Sequence, residues 1–119
     1  MSEVPYDRLG IPEAHRKPLL PGAPLKLRQA AAAGKLPLPP EVAVSVAFVL
    51  LSDEDATVRT DARDYLAALP EETLLKVVGR KTHPKILEFL VEHHLEDERF
   101  LTRIVNLRQA NPRLSLKHI

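Results

Sequence analysis

Between residues 53 and 70 the chain reads DEDATVRTDARDYLAALP, and its apolar positions Val58, Ala62, Leu66 and Leu69 recur at i, i+4, i+8 and i+11. That spacing lays four side chains along one face of a helix, with Arg59, Asp61, Arg63 and Asp64 on the remaining faces. Similar stripes follow: Ile86, Phe89, Leu90 and His93, then Phe100, Leu101, Ile104, Val105 and Leu107. The exception is EVAVSVAFVLL, residues 41–51, which is apolar nearly all round and rich in β-branched residues, so local propensity alone would permit a strand. Its length and its place between helical neighbours predict a helix enclosed on all sides.

The punctuation between these stretches is regular. Helix-start residues fall at Pro24, Pro40, Asp55, Pro70, Pro84, Asp97 and Pro112, giving steps of 16, 15, 15, 14, 13 and 15 residues. Proline in a first helical turn gives up an amide that has no intrahelical partner anyway, and an aspartate there caps the free amides. Glu41, Glu71, Glu72 and Glu98 follow these starts and complement the positive helix end. Gly34 and Gly79 stand where helices should stop, as residues that enter the left-handed conformation cheaply.

A helix about every 15 residues with short turns makes successive helices antiparallel neighbours, and pairs of them form units of about 30 residues that bury a continuous core when stacked. The expected fold is therefore all-α: a short right-handed α-solenoid of antiparallel helix pairs, about six helices over residues 24–119. A compact helical bundle is the alternative, since the same helices could wrap round one core. Residues 1–23 carry Pro5, Pro12, Pro18 and Pro21, which leave no room for a regular element, and predict an extended or disordered arm anchored by Tyr6, Leu9 and Ile11.

At 119 residues one domain is expected, and 45% apolar with 28% charged residues is the composition of a folding chain. The absence of cysteine excludes disulfides, thiolate metal sites and cysteine nucleophiles. No apolar run reaches the ~18 residues of a membrane span and the N-terminal stretch lacks a signal-peptide core, so a cytoplasmic protein is expected. The net charge of +1 hides an uneven distribution. Residues 1–35 hold six Lys/Arg against three acids, residues 53–72 two against seven, and residues 100–119 four against none. An acidic middle with basic ends suits self-association or an anionic partner at one end, although solvated faces that happen to differ would look the same.

The segment SDEDATVRTDARDYLAALPEE resembles the second helix of a HEAT-like repeat: an acidic turn at Asp53 to Asp55, the pair Val58–Arg59, Ala62 four residues on, and the finish Leu66 with Leu69. HPKILEFL and NPRLSLKHI resemble the X-Pro openings of short HEAT-like and leucine-rich-variant repeats of bacterial proteins. The resemblance covers roughly residues 36–119 and is carried mainly by the unit at 53–70, with steps shorter than in the long eukaryotic HEAT units. It implies an α-solenoid in which Asp55 or Asp61 and Arg59 tie adjacent turns and so have structural roles. It also implies that the last unit is either a frayed cap or part of a longer array.

Catalytic and metal-binding patterns are weak. VEHHLEDE sets His93 beside His94 near Glu92, Glu96, Asp97 and Glu98, but His-Glu-x-x-His is missing, and adjacent helical residues point about 100° apart, so the pair reads as surface histidines at a capped helix end. His94 and Glu98 would form an i, i+4 pair if the helix continued, and His83 reads as a turn residue. No serine lies in a nucleophile elbow, the four glycines form no phosphate loop, and the carboxylates are explained by capping, so neither an enzyme nor a cofactor is expected. Arg80, Lys81, His83 and Lys85 make a basic turn, while Arg99, Arg103, Arg108, Arg113 and Lys117 recur toward the C-terminus. Helical repeats can track phosphates with such stripes, but only 4% of residues are aromatic and overall basicity is low. The expected function is a non-enzymatic protein-interaction, scaffold or adaptor module that uses a solenoid face and the N-terminal arm, with nucleic-acid backbone binding as the alternative. The candidate contacts are Arg80, Lys81, Lys85, Arg103 and Arg108.

Overall fold

The structure is a computed structural model that describes residues 6–20, 22–79 and 82–110. These form seven α-helices and two short 3-10 turns: α1 (Tyr6–Leu9), turns at Glu13–His15 and Lys17–Leu19, α2 (Leu25–Ala32), α3 (Pro40–Leu50), α4 (Ala56–Ala67), α5 (Glu71–Val77), α6 (Pro84–His93) and α7 (Glu98–Ala110). From α2 onward each helix begins within one residue of its expected start, the seventh start at Pro112 lying outside the described residues. The protein is all-α over the described residues.

The starts have the physical basis that the punctuation implies. Asp55 caps α4 by accepting hydrogen bonds from the amides of Thr57 and Val58, at 2.9 and 3.3 Å, and from the Thr57 hydroxyl. Pro40 and Pro84 occupy first-turn positions, and Pro24 and Pro70 are the residues just before α2 and α5. Gly34 closes α2 at φ +72°. Gly79 follows α5 without adopting a positive φ: its amide donates to Thr82 Oγ1 at 2.9 Å, and the Thr82 hydroxyl donates back to the Val77 carbonyl at 3.1 Å, so a side chain closes that end where a left-handed glycine was expected.

The run that could have been a strand is the helix α3, buried at Val42, Ala43, Val44, Ser45, Val46, Ala47 and Leu50. It packs against α2, α4 and α5, which accounts for apolar residues on nearly every face. Each fully buried valine there is worth roughly 1.5–3 kcal/mol of transfer free energy. The one polar residue among them is satisfied, Ser45 Oγ donating to the Leu9 carbonyl at 2.7 Å.

That bond belongs to a correction at the N-terminus. Residues 6–20 are not an extended arm: a helical turn at Tyr6–Leu9 and the two 3-10 turns fold them back, with Leu9 and Ile11 buried in the core and Tyr6 packed against it. The prolines permit this because Pro12 precedes a 3-10 turn and Pro18 sits within one. Arg16 stabilises the arrangement by donating to the Ile11 carbonyl at 2.9 Å, with its guanidinium 4.6 Å from the centre of the Tyr6 ring.

Beyond α1 the contacts fall into two series. Helices adjacent in sequence touch in α2–α3 and α3–α4, while helices two apart touch in α2–α4, α4–α6, α3–α5 and α5–α7. In α2–α4 and α5–α7 the side-chain ties join like ends, so the helices of those pairs run in the same direction. Arg28 of α2 pairs with Asp53 ahead of α4 at 2.6 Å, Gln29 bonds Thr57 at 3.1 Å, and Gly34 at the end of α2 lies against Tyr65 near the end of α4. Glu71 at the start of α5 pairs with Arg99 at the start of α7 at 3.3 Å. The whole measures 41 × 25 × 24 Å, with a radius of gyration of 14.0 Å.

Candidate functional site

Short parallel helices held two apart leave grooves between their exposed edges, and α5 with α7 makes the larger one. Glu71–Arg99 ties their first turns, and Arg103 Nε reaches the Val78 carbonyl at 3.5 Å beyond the end of α5. The remaining gap is an open groove of about 700 Å³ lined by Leu75, Glu98, Arg99, Thr102, Arg103, Asn106 and Leu107. Apolar Leu75 and Leu107 share it with the charged Glu98, Arg99 and Arg103. Arg99 stays largely exposed despite its pairing, with 72% of its side chain open to solvent. Along α7 the groove-facing residues Arg99, Thr102, Arg103 and Asn106 repeat at i, i+3, i+4 and i+7, one helix face, while Phe100 and Ile104 on the other side are buried.

A second groove, of about 380 Å³, lies between the ends of α2 and α4 and is lined by Ala33, Asp61, Asp64, Tyr65, Ala68, Leu69 and Pro70. Its character is acidic and aromatic. The Tyr65 ring is laid so closely on Gly34 that a Cβ there would stand 2.3 Å from Cε1, which explains a glycine at that point beyond its positive φ. Burial raises the pKa of the Tyr65 hydroxyl, leaving it a neutral donor beside the two carboxylates.

The sequence-derived contact residues are scattered. Arg103 lines the α5–α7 groove; Lys85 is exposed on the first turn of α6 and does not line it. Arg80 and Lys81 lie outside the described residues, as does the side chain of Arg108 on α7. The turn that contains Lys85 has a neighbour that spacing could not supply, since Arg8 of α1 acts on His83 across the fold. Burial first, then the charges of Arg8 and Lys85, lowers the pKa of His83. Its ring accordingly acts as a neutral acceptor, Nδ1 taking the Lys85 amide at 3.1 Å to cap α6.

The histidine pair departs from expectation. His93 is exposed and stacks on Phe89 with ring centres 4.2 Å apart, but His94 is buried at 6% exposure. The helix ends at His93, so His94 turns inward and meets Asp97, not Glu98. Its Nε2 donates to the Leu66 carbonyl at 2.8 Å and its Nδ1 lies 2.9 Å from Asp97 Oδ2. Leu66 is in the last turn of α4, so the ring satisfies a carbonyl that has no partner within its own helix. Its polar atoms are thereby used for packing α6 and α7 onto α4. Among the described residues no group of three or more His, Asp or Glu is placed to hold a metal ion, and no helix is long and apolar enough to cross a membrane.

Sequence reasoning missed Leu75, Thr102, Asn106 and Leu107 because the groove joins helices separated by a whole intervening helix. The available signal was the apolar and charged spacing of α7 itself. Comparison with family models, with characterised proteins and with solved structures finds no match.

Proposed function

We propose that the chain is a small HEAT-like helical-repeat module that binds another protein, without catalysis, through the groove between α5 and α7. The observation that carries this reading is the groove itself: apolar Leu75 and Leu107 beside two arginines, Arg99 and Arg103, and one acid, Glu98, with Thr102 and Asn106 supplying neutral hydrogen-bonding groups. That is the make-up of a surface for an amphipathic segment, with the leucines taking apolar side chains and the arginines holding carboxylates. The solenoid part of the reading is supported by the contacts between helices two apart, by the parallel directions of α2–α4 and α5–α7 and by the 41 Å long axis. In a bundle closed round one core, such a persistent two-apart series has no special reason to arise.

The test is retention of partners from native extract on immobilised protein, comparing wild type with charge reversal at Arg99 and Arg103 and, separately, at Arg80 and Lys81. The expected result is a set of proteins held by wild type and by the Arg80/Lys81 variant but lost from the Arg99/Arg103 variant. Equal retention by all three sinks the groove. Retention abolished by nuclease, with a steep fall in salt, replaces the reading with nucleic-acid backbone binding.

A further inference from the structure

The two grooves differ in charge: two aspartates at i and i+3 line one, and two arginines at i and i+4, with Glu98 beside them and Arg99 already near Glu71, line the other. On α4, the groove-lining residues Asp61, Asp64, Tyr65 and Ala68 stand at i, i+3, i+4 and i+7; on α7, Arg99, Thr102, Arg103 and Asn106 stand at the same spacing. Side chains three or four apart on a helix are roughly 5–6 Å apart at Cβ, so the separation of the two carboxylates equals that of the two guanidiniums to within side-chain reach. Among the described residues no ion pair engages Asp61 or Asp64, and Arg103 contacts only a backbone carbonyl. The part-exposed Leu75 and Leu107 of one groove and the exposed Ala68 and Pro70 of the other would lose water together if the two faces met.

We propose that the occupant of the basic groove is a second copy of this chain, docking its acidic α4 face so that Arg99 and Arg103 pair with Asp61 and Asp64. Resting on the protein-binding reading above, this adds the identity of the partner. The arginine guanidinium forks match carboxylates in geometry, and the Tyr65 ring beside the two aspartates offers a π face to an incoming arginine. Because the two faces are different patches on one molecule, the contact is heterologous: the docked pair keeps one acidic and one basic face free, and assembly continues head to tail.

The experiment is sedimentation of the purified full chain across a concentration series at low and high salt. Mass should rise continuously past that of a dimer at low salt and fall back as salt screens the exposed pairs. D61K/D64K and R99E/R103E should each weaken association by more than about tenfold, since reversed faces set like charges against each other. The decisive result is the equimolar mixture of those two variants: the intact acidic face of one meets the intact basic face of the other, and the two reversed faces are again opposite in sign, so association that neither variant shows alone returns. That rescue also shows that both variants are folded. A monomer at every concentration, a closed dimer indifferent to both variants, or a shift only on adding a single-stranded oligonucleotide each overturns the proposal. If the purified chain stays monomeric while the Arg99/Arg103-dependent retention from extract persists, only the second-copy assignment falls.

Discussion

Replacing Gly34 by alanine tests the packing between α2 and α4 at its tightest point. Two separate costs are expected. The first is backbone: Gly34 has φ +72°, and an L-residue held there loses about 1–2 kcal/mol. The second is contact: the new Cβ would lie 2.3, 2.7 and 2.8 Å from Cε1, Cδ1 and Cζ of Tyr65, where about 3.5–4.0 Å is comfortable. Relief requires the ring to move out of the groove or the helices to part, an overpacking cost of roughly 1–3 kcal/mol. The sum, about 2–5 kcal/mol, is a large part of the 5–15 kcal/mol that holds an ordinary domain together and lowers the melting temperature by on the order of 10 °C. Gly10 provides the control, because its φ is +70° but a Cβ there meets nothing within 4 Å, so G10A carries the backbone cost alone. Urea unfolding followed by circular dichroism should place G34A below G10A by about 1–3 kcal/mol. Combining G34A with Y65A should recover that difference, giving a non-additive cycle. Equal losses for G34A and G10A, or strict additivity with Y65A, would refute the argument.

Two further outcomes follow from named contacts. His94→Ala removes the donor to the Leu66 carbonyl, the partner of Asp97 and the edge contact to Phe100, so unfolding free energy should drop by about 2–4 kcal/mol, from an unsatisfied buried acceptor plus a cavity; a loss below 1 kcal/mol by urea titration would mean the ring is not the tie described. Asp55 is held below its ordinary pKa of 3.8, first by the Thr57 hydroxyl, with the amides of Thr57 and Val58 and the charge of Arg28 adding to it against an opposing desolvation. A depressed carboxylate stabilises the fold fully above its unfolded value and loses that contribution as pH falls through the folded one, so the urea midpoint of D55N should trail wild type at neutral pH and converge with it below pH 3.8; a constant gap would remove the charge argument.

The helices from α2 to α7 were legible because each carries its own start signal and its own apolar stripe, both local properties of the chain. Even the ambiguous α3 could be placed, since its length and register outweighed its β-branched residues. What failed was non-local. Leu9 and Ile11 anchor the N-terminal segment as expected, but prolines there said only that no long helix forms; the turns that fold residues 6–20 back are held by contacts such as Ser45 to the Leu9 carbonyl, 36 residues away. His94 looked exposed because a surface helix end is where a histidine usually sits, and its inward turn depends on an unpaired carbonyl at Leu66. Gly79 was placed correctly but given the wrong conformation, because Thr82 closes the end of α5 in its stead. Of the candidate site, Arg103 was found from charge, while the apolar lining was not, since Leu75 meets Leu107 only through the packing of α5 on α7.

The same packing changes what the charge distribution means. Along the sequence, acids crowd residues 53–72 and bases residues 100–119, and a chain folded into any compact shape could scatter such blocks over its surface. Here α4 and α7 belong to different series of neighbours: α4 contacts α2 and α6, and α7 contacts α5. A linear asymmetry therefore becomes two separate helix faces of opposite sign, one beside Tyr65 and one beside Leu75. Capping alone does not require this. Helix starts account for Asp55, Glu71 and Glu98, but Asp61 lies in the middle of α4, Asp64 in its last turn, where the helix end disfavours a carboxylate, and Arg103 in the middle of α7. Once capping and the Arg28–Asp53 and Glu71–Arg99 ties are assigned, Asp61 and Asp64 in one groove and Arg103 in the other are charges that neither accounts for, and each stands where a partner has room to dock.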